Sequence, residues 1–156
     1  MKKSFHIISV FLLVLVPAGF AWSHCEIPCG IYDDRMRVDM IAEHIDTIEK
    51  SMNEIASLEK AKDKNYNQIV RWIMNKDDHA DQLQEIVSQY FLTQRIKIDD
   101  EAYTEKLTVL HKMLVYAMKC KQTLDLSHTE TLRTLLKQFS ELYFDHDHQK
   151  MEKTGK

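Results

Sequence analysis

Glycine and proline are scarce in this chain: three glycines and two prolines among 156 residues, with Pro17 and Gly19 both in its opening stretch. So few breakers exclude an architecture of strands and tight turns and favour long helices. Basic runs are also missing, and the formal net charge is −3. Nothing is available to neutralise a row of phosphates, so nucleic acid is excluded as an expected partner. Cysteine is limited to three, an odd number. That is no disulfide framework for a small secreted domain. No Ser-His-Asp set, phosphate-binding loop or His-Glu-x-x-His can be assigned. What remains is 44% hydrophobic and 29% charged, a globular composition long enough for one domain.

The one long apolar run lies at the amino terminus. Lys2 and Lys3 precede an apolar centre from Ile7 to Val16, interrupted by Ser9. Pro17 and Gly19 end it, and Ala21-Trp22-Ser23 puts small residues where a signal peptidase reads. The run falls short of the roughly 20 residues a membrane-spanning helix needs. The expectation is a leader over residues 1–23, removed by a processing peptidase. The product is expected to be exported to the periplasm or an extracellular space, with no stable membrane association after cleavage. An uncleaved anchor, a core helix, or a cytoplasmic protein with a cleaved leader are the alternatives. A cut after Ser23 makes His24 the first residue, with a free α-amino group beside an imidazole and Cys25.

Beyond residue 34 the apolar residues recur at three- and four-residue steps, the mark of amphipathic helices. Val38, Ile41, Ile45, Ile48, Met52 and Ile55 predict a helix from Arg35 to Ala61, ended by the polar break Asp63-Lys64-Asn65. Ile69, Ile73, Ala80, Leu83, Val87 and Tyr90, with Lys76 the exception on that face, predict a second from Tyr66 to Thr93. Gln94 to Ile98 alternates like a strand fragment but reads better as a connector, since no partner strand is evident. Asp99 or Asp100 can cap a third helix, with stripe Tyr103, Leu107, Leu110, Leu114 and Ala117, ending near Thr123. Ser127-His128-Thr129-Glu130 matches a capping box before a fourth, with Leu132, Leu135, Phe139 and Leu142, to about Asp145. The fold class expected is all-α, an up-down-up-down four-helix bundle over residues 35–148, with a frayed tail over 149–156. Trp72, Met74, Phe91, Met113, Tyr116, Met118 and Tyr143 lie off the main stripes and either complete the core or form a subunit interface.

Between leader and helices, residues 24–34 form a hook that begins His-Cys-Glu-Ile-Pro-Cys-Gly-Ile-Tyr and holds Cys25 and Cys29. Two thiolates are soft metal ligands. His24 offers an imidazole and, once cleaved, an amine. The Cys25 amide nitrogen lies between that amine and its own thiolate, so all three can join in fused chelate rings. Amine, amide and two thiolates suit a metal that accepts square-planar nitrogen and sulfur, nickel or copper rather than zinc, with the imidazole free to approach along the axis. Such strong donors favour a higher oxidation state and hence a redox role. Pro28 and Gly30 let the loop turn back on itself.

At a mature amino terminus, His24, Cys25, Pro28, Cys29, Gly30 and Tyr32, followed by a helical domain, closely resemble the nickel superoxide dismutase family. Ser88-Gln89-Tyr90-Phe91 also looks similar. The resemblance implies that superoxide becomes dioxygen and hydrogen peroxide as nickel alternates between Ni(II) and Ni(III), with one nickel ion per subunit. It implies Cys25, Cys29, the His24 amine and the Cys25 amide as ligands of Ni(II), and the His24 imidazole as the axial ligand of the oxidised metal. Tyr32 would stand over the open face, making His24 and Tyr32 the catalytic residues. The family resemblance also implies a homohexamer of four-helix bundles. A carboxylate and an arginine that support the site in some members correspond here to Asp39, if one residue is skipped, and to His79. Without that gap the carboxylate position is Met40. Tyr90 is a candidate second tyrosine.

Each of these residues has a plainer reading. Cys25 and Cys29 could pair as a disulfide in an oxidising compartment. Tyr32 could be a hydrophobic staple and Asp33-Asp34 a helix cap. Cys120 reads as a buried, inert thiol. Asp145-His146-Asp147-His148 has ligand types but reads as solvated surface more than as a second metal site. His44, His79, His111 and His128 are scattered, structural or exposed. The alternatives to an enzyme are a nickel or copper trafficking protein using the same hook, and a thiol–disulfide protein, for which the Cys-x3-Cys spacing is wrong.

Overall fold

Apolar spacing and a cap place the first helix, α1, at Asp34–Lys60. The computed structural model describes the backbone of residues 32–154 and the side chains of residues 32–144. Asp33 accepts the Met36 N–H at 2.9 Å, as one half of the acidic pair was expected to do. Val38, Ile41, Ile45, Ile48, Met52 and Ile55 are all buried, so the stripe read from the sequence is the face that packs. Burial of each such side chain is worth about 1.5–3 kcal/mol.

The polar break ends at Asn65, whose side chain caps α2, Tyr66–Glu85, by accepting from Gln68 N–H at 3.2 Å. Ile69, Ala80 and Leu83 are buried, but Ile73 is exposed, against expectation. The polar exception on this face is explained. Lys76 is buried, and its Nζ donates to the carbonyls of Cys120 at 2.8 Å and Lys121 at 2.6 Å.

The second helix was expected to stay α-helical to Thr93. Instead it widens into a π-helical segment, Ile86–Arg95. Side chains here reach five residues back: Thr93 Oγ1 donates to the Ser88 carbonyl at 2.7 Å and Gln94 Nε2 to the Gln89 carbonyl at 3.0 Å. The Ile96 N–H closes the segment on Phe91 O at 3.0 Å. Hydroxyl and amide groups that occupy backbone acceptors favour such local departures from the α-helix. The connector therefore begins at Ile96, and no strand occurs among the described residues.

α3 spans Tyr103–Gln122. Asp100, one of the two expected caps, takes the Ala102 N–H at 3.0 Å and the Lys106 ammonium at 2.7 Å. Lys106 is buried, and that pairing satisfies its charge. The inward face is Lys106, Val109, Leu110, Met113, Ala117 and Cys120, while Tyr103, Leu107 and Leu114 are only half-buried. α4 runs Ser127–Thr154, past the expected end near Asp145. Its start departs from the capping box: Asp125 Oδ1, not Ser127, receives a backbone N–H, that of Ser127 at 3.0 Å. Leu132, Leu135, Leu136, Phe139 and Tyr143 face inward, and Leu142 is half-buried.

The four helices pack as a bundle, each on the next in sequence, with α4 closing against α1. Phe91 of the π-helical segment stacks edge-on against Phe139 at 4.8 Å and Tyr143 at 5.6 Å of α4. Of the aromatic and Met residues off the main stripes, Phe91, Met113 and Tyr143 join the core, Met74 and Met118 are exposed, and Trp72 and Tyr116 are half-buried. No helix among the described residues is long and apolar enough to cross a membrane.

Candidate functional site

Tyr32, the last residue of the hook motif, stands two positions before α1 and is 37% exposed. Its ring meets that of Tyr90 edge-on at 6.0 Å, and the Arg95 guanidinium lies 4.4 Å over its face. An Arg over an aromatic ring at this range is attracted to the ring's negative face. The sequence-level candidates Tyr32 and Tyr90 are thus neighbours.

What holds them is Asp34, the first residue of α1. Its Oδ1 accepts from Arg95 Nε at 2.8 Å and from the Tyr90 hydroxyl at 2.5 Å. Its Oδ2 accepts from Arg95 Nη2 at 2.6 Å and from the Tyr143 hydroxyl at 2.9 Å. The Arg95 contact is the two-pronged guanidinium–carboxylate fork, among the stronger polar contacts in proteins. Four donors on one half-buried carboxylate join the start of α1 to the π-helical segment and to α4.

The π-helical segment makes this possible. Tyr90 and Arg95 are five positions apart, which in an α-helix would set them about 140° apart around the axis. A wider turn brings such residues to the same side. The irregular segment is thus where the fold assembles the cluster.

Protonation within the cluster is fixed. Burial pushes the Asp34 carboxyl up, but hydrogen bonds from Arg95, Tyr90 and Tyr143 outweigh it and hold it below the usual carboxylate range. Burial, reinforced by the neighbouring carboxylate, raises Tyr90 to about 12 and raises Tyr143 as well. The hydrogen bonds to Asp34 keep Arg95 charged. Near neutral pH the cluster is a set of donors around an anion.

Asp34, Arg95 and Tyr143 were not singled out from sequence as site residues. Asp34 passes for half of a capping pair, Arg95 for part of a connector and Tyr143 for a stray aromatic. The nearest signal was the polar character of Arg95 next to the family-like Ser88-Gln89-Tyr90-Phe91. Of the supporting residues suggested by the resemblance, Asp39 is exposed and is not among the groups that meet Asp34. His79 pairs instead with His44, Nδ1 to Nδ1 at 2.9 Å. His44 is ten residues along α1 from Asp34, about 15 Å at the α-helical rise.

His24, Cys25 and Cys29, and with them the leader, lie outside the described residues, as do the side chains of Asp145 to His148. Among the described residues no group of three or more His, Cys, Asp or Glu side chains could hold a metal ion. Their one cysteine, Cys120, is buried, and burial raises its thiol to about 11, which keeps it protonated and a poor ligand. The thiolates of the hook remain the donor set whose chemistry fits nickel.

Comparison with curated proteins and with solved structures returned no match. The family model described as nickel-containing superoxide dismutase matches residues 20–147, which takes in the hook motif, the site around Asp34 and nearly the whole bundle. On that match the chain belongs to the nickel-containing superoxide dismutase family and is a nickel-dependent oxidoreductase whose substrate is superoxide.

Proposed function

We propose that the mature chain begins at His24 and dismutes superoxide at a nickel ion held by the hook. The Cys25 and Cys29 thiolates, the His24 amine, the Cys25 amide and the His24 imidazole would hold the metal, and Tyr32 would stand beside it. Nickel, when bound, supplies one-electron exchange between Ni(II) and Ni(III). The chain's own residues supply the rest. Tyr32 orders small molecules at the site and keeps larger anions out, and Arg95 keeps a fixed positive charge against its ring.

The observation that carries this reading is the seating of Tyr32. The last residue of the motif, three positions after Cys29 in sequence, is held against two side chains of the bundle. The leader makes the protein an exported one in this reading, in the periplasm or an extracellular space, and makes the site dependent on a processing peptidase.

The test is the mature protein made with His24 first and loaded with nickel. Mass spectrometry of native protein should give His24 as its first residue and nickel as its metal. One residue added before His24 should abolish dismutation and leave the helical fold intact, because the amine ligand is displaced. Full activity in the extended protein would sink the amine-ligand assignment. Nickel bound without consumption of superoxide would favour a trafficking role instead.

A further inference from the structure

We infer that Asp34 and Arg95 are positioning residues for Tyr32: the carboxylate aims the guanidinium, and the guanidinium pins the ring at the root of the hook. The inference rests on the proposed role of Tyr32 and adds to it the groups that set where the ring stands.

Three observations carry it. Arg95 is the group with a face-on contact to Tyr32, at 4.4 Å. Its orientation is not left to its own flexible stem, because both prongs of the fork are bound, Nε at 2.8 Å and Nη2 at 2.6 Å, to the two oxygens of Asp34. A guanidinium held in this way is a plane of set tilt rather than a mobile charge. Asp34 also accepts from Tyr143 of α4, and Tyr90, which touches the edge of Tyr32, ends on the same carboxylate. Tyr32 is therefore clamped on its face and its edge by two side chains that share one anchor.

The fixed protonation of the cluster argues for a clamp and against a proton relay. A relay needs a member that gives and takes a proton near the working pH. Here the carboxylate is held ionised, both phenols are held neutral and the guanidinium is held charged. The arrangement resists change, as a support for an active-site side chain should.

A merely structural bolt between α1, the π-helical segment and α4 would involve the same hydrogen bonds, so the test reads Tyr32 itself. Mature protein without nickel is made with ring-13C-labelled tyrosine, and the Tyr32 signal is assigned by Tyr32→Phe. In the parent it should show a shifted, ordered ring, whereas Tyr66, which is 69% exposed, should show the free value. Arg95→Met and Asp34→Asn should move the Tyr32 signal and its relaxation to those of Tyr66. Arg95→Lys, which keeps the charge and loses the fork, should fall between. Tyr143→Phe should lower the melting temperature and leave the Tyr32 signal in place. The idea is overturned if Tyr32 keeps its parental shift and order in both Arg95→Met and Asp34→Asn, or if Tyr143→Phe frees the ring equally.

Nickel-loaded protein supplies the second reading. Arg95→Met should retain nickel and lose up to about a hundredfold in dismutation rate, the scale on which a small misplacement acts. Inhibition by azide should strengthen, because a loose Tyr32 no longer excludes it. Arg133→Met, which removes the surface pairing with Asp46 and Glu49, serves as the unaffected control. If the parent binds no nickel or leaves superoxide untouched, the proposed function fails while the labelled-tyrosine result still decides the clamp. Unchanged azide inhibition and rate in Arg95→Met, in an active parent, would refute the clamp and leave that function standing.

Discussion

Lys76 of α2 closes the end of α3 at Cys120, its ammonium 2.8 Å from the Cys120 carbonyl oxygen. The last carbonyls of a helix have no partner within it. Lys76 satisfies two of them, at Cys120 and Lys121, and supplies positive charge where the helix dipole is negative. Asp77 lies 3.0 Å from the same ammonium. A charge this buried is acceptable only because it is surrounded by acceptors.

Lys76→Met therefore fits the space and strands the acceptors. It should cost about 2 kcal/mol, the order expected for buried polar groups left unpaired. Thermal unfolding should show a fall of several degrees. An unchanged melting temperature would mean that the carbonyls find water without cost.

The Asp34 cluster should shape both ends of the stability–pH curve. The folded-state value of Asp34 is depressed, so its stabilisation is present above the unfolded value of about 3.9 and is lost as pH falls through the folded one. Tyr90 is raised to about 12, so its stabilisation is complete below the unfolded value of about 10 and fades as pH rises through the folded one. Asp34→Asn should flatten the acid limb in denaturant titrations. In absorbance titrations of the phenolates, the same variant should bring Tyr90 back towards 10. Burial alone keeps both phenols above the free value, so the variant should lower their ionisation only part of the way, and tyrosine titrations identical to the parent's would contradict the assignment.

The helices were legible because burial repeats with the helical period, and the α1 stripe matches residue for residue. The stripe expected for α3 is off by a fraction of a turn: Lys106 faces inward, its stem buried and its charge paired with Asp100, while Leu107 is half-buried. The π-helical segment left no periodic trace, since it depends on side chains bonding carbonyls five residues back. The family could be read from the short motif between His24 and Tyr32, as such motifs are local. Asp34 could not, since its partners Tyr90, Arg95 and Tyr143 lie 56, 61 and 109 residues away. A residue whose role is set by distant partners looks in sequence like the nearest local role available, here a helix cap.

The His44–His79 pair should make stability fall in mild acid. Ring centroids 5.1 Å apart with Nδ1 atoms 2.9 Å apart place the two nitrogens nearly on the line between the rings. One imidazole donates and the other accepts, which requires at least one neutral ring. Burial, followed by the nearness of His79, depresses His44, with Glu43 opposing. The unfolded chain then binds the extra proton, so stability is lost as pH drops below about 6.5. His44→Phe should remove that slope between pH values of about 7 and 5, measured by chemical denaturation. A slope that survives the substitution would place its source elsewhere.

The outer face of α2 should govern assembly. Tyr66, Val70, Ile73 and Met74 are 69%, 53%, 40% and 59% exposed and follow one another at helical spacing along the first half of the helix. Ile73 belonged to the expected core stripe and is instead turned outward with the others. Single exposed apolar residues are ordinary, but a contiguous row of four suggests a covered surface. The subunit association implied by the family resemblance would cover it. The mature protein should sediment as an oligomer at micromolar concentration. Val70→Glu together with Met74→Glu should shift it to the monomer while circular dichroism stays helical, because charges buried at an interface without partners cost more than the contact returns. Glutamates on an exposed helix face leave the bundle core untouched, so loss of assembly in that variant would not be a folding defect. An oligomer that persists in the double variant would exclude this face from the interface.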